Sequence, residues 1–267
     1  MFEGRLQQGQ LLKKVAEAVK DLCKEVVFDV KADTGLTLEA MDASNVTLVS
    51  LLLRETAFTV FRCDKPTQIC LSVESLVRVG KFIGDKEMLT IQAESKSEKV
   101  HFMVENPETN RTWDFSVPQL VREGEHFGVP EQSYAATMKV KANEWQRITR
   151  DLSSMGEVVK LAADKEKVTL VVSGDGADIT GTLKPGADME LTCEEPVEAS
   201  FALRYLAIFA KATPLCETVQ ISLKADMPLC VDYGLGAEGS ELVDTQQPER
   251  HGAGYLRFYL APKIEEE

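Results

Sequence analysis

Gly234-Leu-Gly236-Ala-Glu-Gly239 has the G-x-G-x-x-G spacing of a loop that cradles a pyrophosphate, and it follows a predicted strand. That chemistry needs a helix to open there, so that its first N–H groups face the phosphates. Ser240 to Gly252 is polar, is broken by Pro248 and offers no such helix, so a surface loop is the better reading. Gly174-Asp-Gly-Ala-Asp178 is acidic and glycine-rich but lacks the later ligands of a calcium loop, and reads as a hairpin turn. His101, His126 and His251 are far apart, and Cys23, Cys63, Cys70, Cys193, Cys216 and Cys230 form no C-x-x-C. No metal site is expected, and the thiols read as reduced and mostly buried in an intracellular protein. No local nucleophile–base pair stands out, so no catalytic residue and no cofactor is assigned. A triad assembled from distant residues would leave no such local signature.

The charged residues are more informative. The chain carries a formal charge of −13, which by itself argues against a nucleic-acid partner. None of the four predicted helices is net acidic, however. Arg78/Lys81 and Arg147/Arg150 stand at i,i+3, and Lys13/Lys20 and Arg204/Lys211 at i,i+7. Both spacings set two cations on one helical face. Two readings stay open: ordinary solvated helix faces, or a basic side that draws a polyanion while the acidic remainder repels it. The helices lack interleaved aromatics, so any nucleic acid would be met through duplex phosphates rather than by base stacking.

The elements that must position these residues come in two similar sets. At 267 residues the chain has room for two domains. Each half reads as strand, helix, strands, helix, strands. The helices fall at about Gly9–Leu22, Glu74–Ile83, Ala142–Met155 and Ala202–Ala212. Leu76, Val79, Phe82 and Ile83 are expected to face inward, as are Trp145, Ile148, Leu152 and Met155. Leu76…Val79…Phe82 recurs as Leu203…Leu206…Phe209, which points to an internal duplication. The expected architecture is α+β, with a first domain at 1–118, a connector at 119–133 and a second domain at 134–267. The connector carries an apolar cluster, Phe127-Gly-Val129-Pro130, that a mere spacer would not need. No apolar run reaches the roughly 18 residues of a membrane span, and the start lacks the pattern of a signal peptide. The Asn-x-Thr triplets at Asn45 and Asn110 then read as chance matches.

Several strings resemble one family. Met1-Phe-Glu-x-Arg-Leu6, Leu12-Lys-Lys-Val15, Met41-Asp-x-Ser44, Phe61-Arg-Cys-Asp64, Gly128-Val-Pro-Glu-Gln132, Arg150-Asp-Leu-Ser153, Phe201-Ala-Leu-Arg-Tyr-Leu206, Lys211-Ala-Thr-Pro-Leu215 and Leu260-Ala-Pro-Lys-Ile-Glu265 are similar to the eukaryotic proliferating cell nuclear antigen family of sliding DNA clamps. The resemblance runs the length of the chain. It implies two sheet-rich domains of the DNA-clamp fold, each with two helices lining the interior of a ring of three identical chains. It implies no enzyme activity, a role as DNA polymerase processivity factor and docking platform in replication and repair, and residence in the nucleus. Double-stranded DNA would be encircled without sequence preference and met by Lys13, Lys14, Lys20, Arg78, Lys81, Arg147, Arg150, Arg204 and Lys211.

Partners implied by the resemblance are DNA polymerases, the clamp loader, flap endonuclease, DNA ligase and other carriers of clamp-binding peptides. Their pocket would comprise Met41, Asn45, Val46, Leu48, His126, Phe127, Val129, Pro130, Pro228, Tyr259, Ala261, Pro262 and Ile264. Subunits would pair through Arg111, Trp113, Phe115 and Val117 on one edge and Ala177, Ile179, Gly181 and Leu183 on the other. Lys165 aligns with the family's modified lysine. Asn45 replaces a frequent His, Ser154 replaces a frequent basic residue or His, and the Gly234–Gly252 loop is longer than the family pattern. A heteromeric checkpoint-clamp subunit is the alternative within the same architecture. A nucleotide-dependent enzyme using Gly234–Gly239 is the alternative outside it.

Overall fold

The computed structural model describes residues 1–94, 97–121, 127–128, 133–174, 176–236 and 252–263. Its strands come from short β-rich runs that alternate buried and exposed positions, as in Glu25–Lys31 and Lys99–Asn106. In chain order they are β1 Phe2–Leu6, β2 Glu25–Lys31, β3 Gly35–Met41, β4 Thr47–Leu53, β5 Val60–Cys63, β6 Thr67–Ser72, β7 Met88–Ala93, β8 Lys99–Asn106 and β9 Arg111–Pro118. The second half adds β10 Ala136–Lys141, β11 Val158–Ala163, β12 Val168–Ser173, β13 Asp178–Leu183, β14 Met189–Cys193, β15 Val197–Ala202, β16 Thr218–Leu223, β17 Leu229–Leu235 and β18 Gly254–Leu260. The helices are α1 Gln10–Val19, α2 Val73–Gly80, α3 Ala142–Ser153 and α4 Leu203–Phe209.

The topology is that of a duplication. The first half forms the orders β5-β1-β7-β8-β9 and β4-β3-β2-β6, and the second repeats them as β14-β10-β16-β17-β18 and β13-β12-β11-β15. Even the turns match. The Cys63 thiol donates to the Lys65 carbonyl at 3.1 Å, and the Cys193 thiol to the Glu195 carbonyl at 3.1 Å, each just before a proline.

Strand pairing also crosses from one half to the other. β18 pairs with β4 from Gly254↔Leu53 to Leu260↔Thr47, fusing two repeats into one nine-stranded sheet. This junction depends on Gly254. Its φ is +138°, and an added Cβ would stand 1.8 Å from the Leu52 carbonyl oxygen. The fusion leaves β9 and β13 as free edges of the other two sheets.

All four helices end earlier than expected, α1 at Val19 rather than Leu22. α2 stops at Gly80, so Phe82 no longer follows the helical phase. It is 44% exposed and stacks edge-on against Trp113 and Phe115, with centroids 5.4 and 5.0 Å away. α3 stops at Ser153, and Met155 is 41% exposed instead of inward. α4 ends at Phe209 and continues as a 3-10 helix, Ala210–Leu215, because Pro214 has no N–H to give the Ala210 carbonyl. Gln146 Nε2 donates to that carbonyl instead, at 2.9 Å. The thiols are all free, but only Cys23, Cys70 and Cys230 are fully buried.

Gly254→Ala should cost at least about 2 kcal/mol of stability, since it strains both φ and the ladder. Urea unfolding of the variant against wild type is the check.

Candidate nucleic-acid interface and docking turn

Each helix buries an apolar stripe against its sheets: Leu12, Val15 and Val19 in α1, Leu76 and Val79 in α2, Trp145 in α3, and Leu203, Leu206 and Phe209 in α4. The helices also pack on one another. α1 touches α2, α4 and the 3-10 helix, and α3 touches α4 and the 3-10 helix, so all four form one layer. Gly80 lets α2 approach α1 closely, since a Cβ there would meet Lys13 Cγ at 3.2 Å.

The nine candidate cations all lie on this layer or at its ends. Most are held locally. Lys20 pairs with Glu17 at 2.6 Å, Arg78 with Glu74 at 2.5 Å, Arg147 with Glu144 at 2.7 Å and Arg150 with Asp151 at 3.2 Å. Lys211 pairs with Asp21, and Lys13 donates to the Ile83 carbonyl at 2.7 Å. The hydrogen bond that Lys20 donates to Glu17 raises the lysine's pKa, so that ammonium stays charged. Among the described residues the Lys14 and Lys81 side chains have no ion partner. Exposed pairs of this kind contribute little, so a phosphate can displace the carboxylates at small cost. Ser154 Oγ is turned back onto the Asp151 carbonyl at 2.7 Å.

The second candidate region lies on the nine-stranded sheet. Register places Met41 opposite Leu48, Leu48 opposite Tyr259 and Tyr259 opposite Cys230. Paired residues share a face, so these four form one row across β3, β4, β18 and β17. The next row on that face is polar. It holds Glu39, Ser50, Arg257 and Asp232, the last two as a 2.7 Å ion pair between half-buried Arg257 and buried Asp232. Glu39, which sequence reasoning passed over, accepts the Phe127 N–H at 2.9 Å and so ties the connector to this face. Val46, Pro228, Ala261 and Pro262 are half-buried around the row, and Asn45 is exposed. Tyr259 is only 9% exposed, so it presents little more than an edge, and burial pushes its pKa up. His126, Val129, Pro130 and Ile264 lie outside the described residues, as does most of the 234–252 loop.

Asp42 organises the turn between β3 and β4. It accepts from the N–H groups of Val46 at 2.8 Å, Thr47 at 2.7 Å and Ser44 at 3.1 Å, and from the Ser44 hydroxyl. Burial alone would raise its pKa, but these bonds outweigh burial and hold the carboxyl below the usual carboxylate range. Asn45 takes φ 56°, a conformation that asparagine tolerates well. The tail joins the turn where the Ala261 N–H donates to the Val46 carbonyl at 3.0 Å, and it goes on to Ser200, whose carbonyl accepts from the Lys263 N–H at 2.8 Å.

The remaining candidates fall elsewhere. Gly234 lies inside β17 and pairs with Tyr255, so it belongs to a ladder rather than to a phosphate loop. Gly174 donates to the Ala177 carbonyl in the turn between β12 and β13. Lys165 is exposed between β11 and β12. Among the described residues no three His, Cys, Asp or Glu side chains are grouped to hold a metal, and no helix is long and apolar enough to cross a membrane.

A duplicated sheet fold with all its helices in one cation-bearing layer is the architecture of a sliding DNA clamp. The family models for the N-terminal and C-terminal domains of proliferating cell nuclear antigen match residues 1–123 and 128–243. Proliferating cell nuclear antigen of Chaetomium thermophilum is 38% identical over 271 residues, covering 99% of this chain and 98% of that protein. The protein of that name from Dictyostelium discoideum is 38% identical over 274 residues, covering 99% of this chain and all of its own. The chain belongs to the proliferating cell nuclear antigen family, a family of non-enzymatic clamps that serve as DNA polymerase processivity factors.

Asp42→Ala should cost about 2–3 kcal/mol at neutral pH by leaving buried donors unpaired. Because the folded pKa is lowered, this contribution is present above the unfolded value of about 4 and lost as pH falls through the folded value. Unfolding curves of variant and wild type should therefore converge in acid.

Proposed function

We propose that three copies of this chain close into a ring around duplex DNA, with the helix layer lining the hole. The observation that carries the reading is the ladder between β18 and β4. Under the duplication β9 corresponds to β18 and β13 to β4, so the junction inside the chain can be repeated between β9 of one copy and β13 of the next. Transferring the register sets Arg111 opposite Leu183, Trp113 opposite Gly181, Phe115 opposite Ile179 and Val117 opposite Ala177. Trp113 would then face a residue with no side chain. Exposed Phe82 flanks the β9 edge, and a cavity of about 530 Å³ lined by Met155, Val158 and Ala177 flanks the β13 edge. Pairing would satisfy both edges and cover both apolar patches.

In this ring Lys13, Lys14, Lys20, Arg78, Lys81, Arg147, Arg150, Arg204 and Lys211 meet phosphates without reading bases, and retention is topological. Residues 1–118 and 134–267 act as the two clamp domains, with 119–133 as their connector. The row of Met41, Leu48 and Tyr259, with the connector and tail, takes peptides of DNA polymerases, the clamp loader, flap endonuclease and DNA ligase through an aromatic and an aliphatic anchor. Exposed Lys165 is the modified lysine, and the nucleus is the compartment.

Gly181→Arg separates assembly from folding, because the nearest heavy atom to an added Cβ there is 3.8 Å away. Native mass should show a trimer for wild type and a folded monomer for the variant. Loaded wild type should stay on nicked circular DNA and slide off linear DNA. A monomeric wild type, or equal loss from both DNAs, contradicts the ring. Met41→Glu should abolish peptide binding with the trimer intact, read by fluorescence anisotropy; unchanged affinity would misplace the pocket.

A further inference from the structure

Arg204 and Tyr205 are neighbours on α4 that face different surroundings. Arg204 is exposed among the cations of the helix layer, whereas Tyr205 is 6% exposed and reaches the β3–β4 turn of the other half. The Tyr205 hydroxyl lies 2.6 Å from Ser44 Oγ and donates to Asp42 Oδ2 at 3.2 Å. Arg204 Nη2 donates to the same Tyr205 oxygen at 3.2 Å, and its guanidinium carbon lies 4.8 Å from the ring centroid. Through Asp42 the chain of bonds continues to the N–H groups of Val46 and Thr47, and through the Val46 carbonyl to Ala261. An exposed cation of the candidate DNA surface is thus bonded, link by link, to the turn and tail of the candidate docking pocket. No other of the nine cations has such a link among the described residues.

We propose that Tyr205 is a positioning residue for the docking turn, and that through Arg204 it makes peptide affinity depend on whether the helix layer faces DNA. This rests on the docking reading above. A phosphate competes for Arg204 because it offers charged oxygens to both arms of the guanidinium, whereas Tyr205 offers one neutral acceptor. When Arg204 turns to the phosphate, the Tyr205 hydroxyl loses the cationic donor that polarises it, so its bond to Asp42 weakens and the turn is held less firmly. The loss of one such bond corresponds to a change of about two- to tenfold in affinity. Linkage requires the reverse effect to be equal, so bound peptide weakens the hold on DNA by the same factor.

The test measures anisotropy of a fluorescein-labelled peptide with one aliphatic and one aromatic anchor, on trimer free in solution and on trimer loaded on nicked circular DNA. Wild type should bind two- to tenfold more weakly when loaded. Arg204→Ala should bind weakly in both states, with no DNA dependence. Tyr205→Phe keeps the ring and its packing but should also lose the DNA dependence, a readout that a merely structural tyrosine would not move. Equal wild-type affinity in both states overturns the coupling, and so does a Tyr205→Phe variant that keeps the wild-type difference. A wild-type trimer that binds no peptide in either state overturns the docking reading itself, and the coupling with it.

Discussion

A sheet edge is a row of backbone donors and acceptors that must find partners, and most of this molecule follows from how its edges are met. Inside the chain the answer is the ladder between Gly254–Leu260 and Thr47–Leu53. It joins the second half to the first, sets the helices of both halves in one layer and brings the tail beside the Asp42 turn. The cost falls on Gly254, whose backbone conformation and closeness to Leu52 admit no side chain. The same duplication that provides this ladder leaves β9 and β13 unpaired, with Trp113 on one edge and Gly181 on the other.

The electrostatics depend on that layer. An acidic chain and a polyanionic partner are compatible only if charge is segregated, and the fold segregates it by placing every helix on one side. The local carboxylates that hold Lys20, Arg78, Arg147 and Arg150 are exposed. They keep the cations oriented without trapping them, which suits contacts that must form and break along a duplex.

Much of this was legible in the sequence because period and burial agree. Strands such as Glu25–Lys31 alternate cleanly, and α1 and α2 carry apolar stripes that place them to within a few residues. The cations could be paired on helical faces from spacing alone. Phe82 and Met155 could not be placed, because both lie just past helix ends where the phase is lost. The shared nine-stranded sheet was not legible either, since strand pairing across halves leaves no local period. Glu39 and Tyr205 escaped for a related reason. Each acts through long-range hydrogen bonds, Glu39 to Phe127 and Tyr205 to Asp42 and Ser44, and no spacing rule records such bonds.

The central claim is that β9 of one copy continues β13 of the next in the register of the internal junction. The most direct measurement is disulfide cross-linking of the double variant Phe115→Cys, Ile179→Cys under mild oxidation. Directly paired strand positions lie within the distance a disulfide spans. The register described here gives covalent dimers and trimers that reduction reverses. Cross-linking that instead requires Gly181→Cys as the partner of position 115, or that produces no oligomer at all, would contradict it.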